Sequence, residues 1–277
     1  MSSEHIIHIE DVYKGYDGKV ILKDIDLKIQ EGEFCSVVGP SGCGKSTLLR
    51  LLLGQELPDS GSILFDGKPV IGPEPSRGVV YQKYSLFPHL TVLENVMLGP
   101  KYLGINGKKA NKAEMVERAM YFLKRVRLDN AADKYPDQLS GGMQQRVAIT
   151  QTLIAEPKLL LMDEPFGALD PDTREELQVF LLELWESLKL TVLFVTHSLE
   201  EACFVGTRLI ALSQYNSYSS AKIVEDHLLD KEVKSTTKDD LKFIELITQV
   251  RKNAFDPDIL QHLEEFNLKH PDSFMTP

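Results

Sequence analysis

Apolar and polar residues alternate through the first thirty positions. Ile7 and Ile9 flank His8, and after a turn at Tyr16-Asp17-Gly18 come Ile21, Ile25, Leu27 and Ile29 with polar residues among them. A period of two buries one face of a strand, so paired strands are expected here. The next pattern differs. Phe34-Cys35-Ser36-Val37-Val38, Lys158–Met162 and Leu190–Val195 are apolar almost throughout. Strands covered on both faces read this way, which indicates a parallel sheet between helices.

Helical spacing is clearest at Thr173–Leu188, where Leu177, Phe180, Leu181, Leu184, Trp185 and Leu188 follow the i, i+3, i+4 rule and form a core-facing stripe. A helix is also expected over Ser46–Leu53, stopped by Gly54. From about His89 to Leu153 the chain turns helical and polar, and Ala113, Val116, Met120 and Leu123 mark a helix within Lys108–Val126. This stretch reads as a helical subdomain inserted into the sheet domain. After Ser213 come a polar loop (Gln214–Ala221), a short strand at Ile223-Val224 and a helix near Asp239–Arg251. The last two dozen residues receive no assignment, and no internal repeat is visible.

The bulk composition is ordinary for a globular chain: 43% hydrophobic and 26% charged over 277 residues. Its formal net charge of -10 argues against bulk nucleic-acid binding. A membrane span needs about 20 apolar residues, and no run approaches that. Residues 1–5 lack the basic-then-apolar pattern of a secretory signal. Cys35, Cys43 and Cys203 are scattered, with no CxxC pair, which suits a reducing compartment. A soluble intracellular protein is expected.

Two segments carry recognisable chemistry. Gly39-Pro40-Ser41-Gly42-Cys43-Gly44-Lys45-Ser46 fits G-x-x-x-x-G-K-[ST] between a strand and a helix. Glycines let successive N–H groups face phosphate oxygens, and the helix adds its positive end. Lys45 is then placed to bridge the β- and γ-phosphates and the Ser46 hydroxyl to ligate magnesium. The second segment is Leu159-Leu160-Leu161-Met162-Asp163-Glu164-Pro165. Carboxylates at the carboxyl end of a buried strand sit where such sheets bind ligands. Asp163 suits the metal, and Glu164 suits orienting or deprotonating the attacking water.

At this point the chain resembles the ATP-binding subunits of ABC transporters over about residues 5–213. The most specific residues are Leu139-Ser140-Gly141-Gly142-Met143-Gln144-Gln145-Arg146, which match that family's signature motif. The resemblance implies an α/β P-loop cassette with an antiparallel N-terminal β subdomain. It divides the chain into an ATP-binding core (1–88 and 154–213), a helical subdomain with the signature (89–153) and a C-terminal extension (214–277). It implies an ATPase using ATP and Mg2+, with Tyr16 stacking on adenine and residues from Gly39 to Thr47 wrapping the phosphates. Cys43 has no separate role in that loop. Gln82 is implied as the sensor of γ-phosphate and magnesium, His197 as the γ-phosphate contact, and Asp170 as part of a loop communicating across a dimer. Ser140, Gly141, Gly142 and Gln144 would serve the partner's nucleotide, so that two cassettes enclose two ATP molecules head to tail.

The presence of Lys45, Asp163, Glu164 and His197 disfavours a regulator that has lost hydrolysis. A single acidic cassette without a long coiled-coil insertion disfavours the soluble repair and translation types. An importer ATPase is the expectation, peripheral on the cytoplasmic face of the membrane, with separate transmembrane subunits and, indirectly, a substrate-binding protein. Glu164-Pro165-Phe166-Gly167-Ala168-Leu169-Asp170 and Val195-Thr196-His197-Ser198-Leu199-Glu200-Glu201-Ala202 resemble the nitrate/sulfonate/taurine group. The stretch from Leu86 to Val96 is shared with polar amino-acid importers. An exposed apolar coupling patch is expected at Tyr84, Leu86, Phe87 and Leu90.

Overall fold

The computed structural model describes residues 5–82, 86–104, 110–213, 220–229 and 241–255. The alternating N-terminal pattern produces β1 (Ile7–Tyr16) and β2 (Lys19–Ile29), which join β4 (Ser60–Phe65) and β5 (Lys68–Pro69), two strands the pattern does not anticipate, in a four-stranded antiparallel sheet ordered β2-β1-β4-β5. The apolar strands enter a second sheet. It contains β3 (Phe34–Val38), β6 (Arg77–Val80), β7 (Leu159–Asp163), β8 (Thr191–Val195), β9 (Arg208–Leu212) and β10 (Ile223–Leu228), ordered β10-β9-β3-β8-β7-β6. Its neighbours are parallel except β10, which runs antiparallel to β9.

Among the described residues, seven α-helices accompany the sheets: α1 (Lys45–Leu53), α2 (Val92–Leu103), α3 (Lys112–Arg125), α4 (Gly141–Leu153), α5 (Pro171–Leu188), α6 (Leu199–Val205) and α7 (Leu241–Ala254). Successive side chains of the parallel strands point to opposite faces. Phe34, Leu160, Met162, Val192 and Phe194 join one apolar cluster with α2 to α5. Cys35, Val37, Leu159, Leu161, Leu193 and Val195 join another with α1 and the antiparallel sheet. Each fully buried aliphatic or aromatic side chain contributes about 1.5–3 kcal/mol before entropy is counted. Both faces are therefore fixed, and the strand ends have little freedom. α6 and α7 build a third cluster over β9, in which Phe243, Ile247 and Val250 of α7 cover Leu209 and Ala211.

Boundaries follow local capping. α3 starts at Lys112 rather than near Lys108 because Asn111 and Glu114 form a capping box. α5 starts before Thr173 because Asp170 caps it and Pro171 fills its first turn. β7 and β8 each begin one residue later than their apolar runs, β10 extends to Leu228, and α7 to Ala254. Strands β6 and β9 are not anticipated by the hydrophobic pattern. Residues 214–219 of the polar loop, and 256 onward, lie outside the described residues.

Candidate functional site: a phosphate loop at the carboxyl edge of the sheet

The parallel register aligns Val37 with Val195, Val195 with Asp163 and Met162 with Val80. The carboxyl ends of β3, β8, β7 and β6 therefore share one edge. From that edge leave the phosphate loop (β3), His197 (β8), Asp163-Glu164 (β7) and Gln82 (β6). Four separated sequence segments meet there because of strand order alone.

The phosphate loop ends at Gly44, the residue before α1, with φ 98°. A side chain there would be strained, and a Cβ would stand 2.7 Å from a methyl of Leu22. Lys45 is only 7% exposed, and its ammonium donates to the carbonyls of Gly39 (2.7 Å) and Pro40 (3.0 Å). The cation is thus held at the mouth of its own loop. Cys43 is buried, and burial pushes its thiol up, with Lys45 opposing. It is a packing residue of the loop wall.

The Ser46 hydroxyl lies close enough to the Asp163 carboxylate to favour its charged form. Burial pushes the Asp163 carboxyl above the ordinary range, and the charge of Glu164 adds to this; Ser46, Lys45 and Arg50 oppose it. A half-buried carboxylate beside a hydroxyl is a hard-oxygen pair of the kind magnesium takes when phosphates and waters complete its shell. Among the described residues no group of three or more His, Cys, Asp or Glu side chains could hold a metal by itself.

Glu164 has φ 46°, a left-handed conformation uncommon for a residue with a side chain. Its N–H donates to the Val195 carbonyl (2.9 Å), and its own carbonyl accepts from Gly167 (3.1 Å). This tight turn at the end of β7 stores of order 1–3 kcal/mol of strain. It brings Glu164 Oε2 within 3.3 Å of His197 Nδ1. Gln82 is exposed, and a Cβ on Gly167 would come 3.1 Å from its amide nitrogen. Glycine at 167 is what lets that amide lie against the loop after Glu164.

Tyr16 is placed differently from an open stacking platform. Its hydroxyl donates to Glu56, and Lys14 and Arg50 lie 5.4 and 5.8 Å from its ring centre. Burial and the Glu56 hydrogen bond raise its pKa.

The signature segment forms the start of α4. Ser140 is the N-cap and accepts from Met143 N–H at 3.3 Å. Gly141 is half-buried and Gly142 buried. The Gln144 amide donates to the Pro136 and Leu139 carbonyls at 2.9 and 3.2 Å, bracing the segment from within. Asp170 caps α5 by accepting from Thr173 N–H, and that bond holds its carboxyl below the usual range. Among α1 to α6, only α1 and α4 have no acidic residue in the first turn. Both helices therefore keep an uncancelled positive end.

The expected coupling patch divides. Phe87 is 48% exposed and stacks edge-on with His89 at 5.9 Å. Leu86 is instead half-buried against the main apolar cluster, so it packs rather than displays itself. Leu90 is half-buried, and Tyr84 lies outside the described residues. Sequence reasoning missed Asn95, which is fully buried. It accepts from Phe87 N–H and donates to the carbonyls of Phe87, Leu90 and Thr91 at 3.0–3.1 Å. It also missed the buried Glu201 beside the His197 loop. No periodic signal marks either residue.

Comparison with known proteins agrees with this construction. The ABC transporter family model matches residues 22–167. An uncharacterized ABC transporter ATP-binding protein of Methanocaldococcus jannaschii is 51% identical over 192 residues, covering 69% of this chain and 70% of that one. A nitrate import ATP-binding protein of Synechocystis is 47% identical over 209 residues, covering 75% and 77%. A taurine import ATP-binding protein of Escherichia coli O157:H7 is 46% identical over 208 residues, covering 75% and 80%. A dimeric structure of a bacterial ABC transporter cassette superposes with TM-score 0.68 at 35% identity, covering 81% of this chain and 99% of that one. The chain thus belongs to the ABC transporter family, as an ATP-binding subunit that hydrolyses ATP.

Proposed function

We propose that this subunit powers import through separate transmembrane subunits, and that two cassettes enclose two ATP molecules head to tail. The observation that carries this reading is the contrast between two phosphate-ready helix ends in one chain. One is beside Ser46, Asp163, Glu164 and His197, whereas the other, at Ser140, is remote from them in sequence and carried on a separate helix. A second cassette would complete each site, and the similar bacterial cassette is known as a dimer.

In this reading Lys45 leaves the Gly39 and Pro40 carbonyls for the β- and γ-phosphates. Residues Gly39 to Thr47 hold the phosphates through backbone N–H groups and the positive end of α1. Ser46 and Asp163 would hold Mg2+, with Gln82 nearby. When bound, that ion neutralises charge on the phosphate oxygens. Glu164 orients the attacking water and accepts its proton, and His197 contacts the γ-phosphate. Tyr16 gives its ring to adenine once Lys14 or Arg50 moves aside. Ser140, Gly141 and Gly142 face the partner's γ-phosphate, while Gln144 and Asp170 support the loops that cross.

The nitrate and taurine relatives support a small anion as cargo, with nitrate, sulfonate or taurine as the class. A polar amino acid is the second reading, favoured by the Leu86–Val96 segment. No described helix is long and apolar enough to cross a membrane. This fits a peripheral subunit at the cytoplasmic face, with Phe87 toward the transmembrane partner and cargo chosen elsewhere, by those subunits and a substrate-binding protein. The test is light scattering of Glu164→Gln with and without ATP. A closed dimer that forms only with ATP supports the head-to-tail site, and an ATP-loaded monomer at high concentration counts against it.

A further inference from the structure

The loop that presents His197 is tied down by a carboxylate with no part in the chemistry above. Glu201, in the first turn of α6, is 9% exposed. Its Oε1 accepts from Gln178 Nε2 at 3.0 Å, and its Oε2 accepts from the hydroxyl of Thr196. That hydroxyl in turn accepts the N–H of Ser198 at 3.1 Å. Thr196 precedes His197 and Ser198 follows it, so both neighbours of the histidine are bound through one hydroxyl oriented by one buried carboxylate. Ser198 closes the arrangement by accepting from Glu201 N–H at 3.2 Å.

The other end of the chain of bonds is equally well anchored. Gln178 is buried on α5 and donates to Glu201 through its amide nitrogen. One turn earlier on the same helix, Arg174 donates to the Leu169 carbonyl at 2.9 Å, while its Nε is buried without a protein partner. Arg174 shares a cavity of about 20 Å³ with Glu164, Thr196, His197, Ser198 and Glu201. Burying a carboxylate costs several kcal/mol in desolvation, and an apolar residue of similar volume would often serve stability as well. Packing alone does not account for an acid here.

We propose that Glu201 is a positioning residue for ATP hydrolysis. Held by Gln178, it fixes Thr196 and so the backbone on both sides of His197, which keeps the imidazole in one orientation toward Glu164. This deepens the proposed function and rests on its assignment of His197 to the γ-phosphate. A displacement of about 1 Å in a reacting group can cost on the order of 100-fold in rate, so loss of one tether should be visible in turnover and not in binding.

The test uses the full chain and measures ATPase kcat and KM, affinity for a non-hydrolysable ATP analogue, and thermal melting. Gln178→Leu removes one tether without touching the site. Its kcat should fall about tenfold, because the lost geometry corresponds to a fraction of that 100-fold limit; analogue affinity and KM should stay nearly unchanged, while the melting temperature should fall because Glu201 Oε1 loses its buried donor. Glu201→Gln, which keeps an acceptor for Thr196, should retain most of the turnover. In a His197→Ala background, Gln178→Leu should have no further effect on the residual rate. Unchanged kcat in Gln178→Leu, while His197→Ala is severely impaired, overturns this inference alone. So does an equal loss in both backgrounds, or a joint fall of kcat, affinity and melting temperature. A His197→Ala chain that hydrolyses at the unmodified rate overturns the assignment of His197 and this inference with it.

Discussion

Two of the helices α1 to α6 begin with no acidic residue in the first turn, yet they are finished differently. α1 has no side-chain cap, and beside its N-terminus stand a buried lysine, a hydroxyl and two carboxylates. α4 is capped by Ser140, and the hydrogen bonds around it run to Met143, Pro136 and Leu139 of its own segment. The first end holds a nearly complete phosphate site; the second is a braced surface with no acid or cation of its own in its first turn. In the proposed head-to-tail pair, a chain carrying one of each supplies half of two sites. On that reading function belongs to the pair, and the comparison can be broken from either side.

The largest effect should come from Glu164→Gln. Removing the group that accepts the water's proton should lower ATPase turnover by about 10²–10⁴-fold while ATP binding persists, as checked by steady-state kinetics beside equilibrium binding. Next is Lys45→Ala, which removes a charge-assisted contact with phosphate worth about 1.5–3 kcal/mol. ATP affinity should weaken by about 10- to 150-fold, read by titration with a fluorescent nucleotide, and the melting curve should move little. If Lys45→Ala and Glu164→Gln weakened binding equally, the two halves of the α1 site would not be separable.

A smaller effect lies outside the nucleotide site. Asn95→Ala removes the side-chain partner of the Phe87 N–H and the Leu90 carbonyl, while the Phe87 and Thr91 carbonyls keep backbone donors; at about 1–3 kcal/mol this should lower the melting temperature. Phe87→Asp should change neither melting nor the basal ATPase of the isolated subunit by more than a little. It should instead reduce copurification with the transmembrane subunit and transport. If ATPase and stability collapse together while the complex assembles, Phe87 packs the interior as Leu86 does.

The phosphate loop, Asp163-Glu164 and the signature are legible in the sequence because their chemistry demands particular residue types at close spacing. The two central strands β7 and β8 are legible because burial on both faces leaves only apolar residues. β6 and β9 are not, because each is a short run that begins with an arginine, and their place in the sheet is set by contacts with other elements. Arg208 spans Asp226 (2.6 Å), Glu33 (3.3 Å) and the Lys28 carbonyl (2.7 Å), and Arg77 lies 5.3 Å from the ring centre of Phe65. Glu201, Gln178 and Asn95 stayed hidden for the same reason. Each occupies a position that reads as polar surface, and only another element's approach buries it. The strained backbone at Glu164 has no sequence signal either, since glutamate rarely adopts that conformation.

The central claim, that each working site takes Lys45 from one chain and Ser140 from another, is tested most directly by mixing two dead variants. Lys45→Ala and Ser140→Arg chains should each be nearly inactive alone. Combined in equal amounts, they should recover ATPase activity, up to one working site per mixed dimer, because the Ser140→Arg chain supplies the intact phosphate loop and the Lys45→Ala chain the intact signature. A mixture no more active than either variant alone would contradict the account.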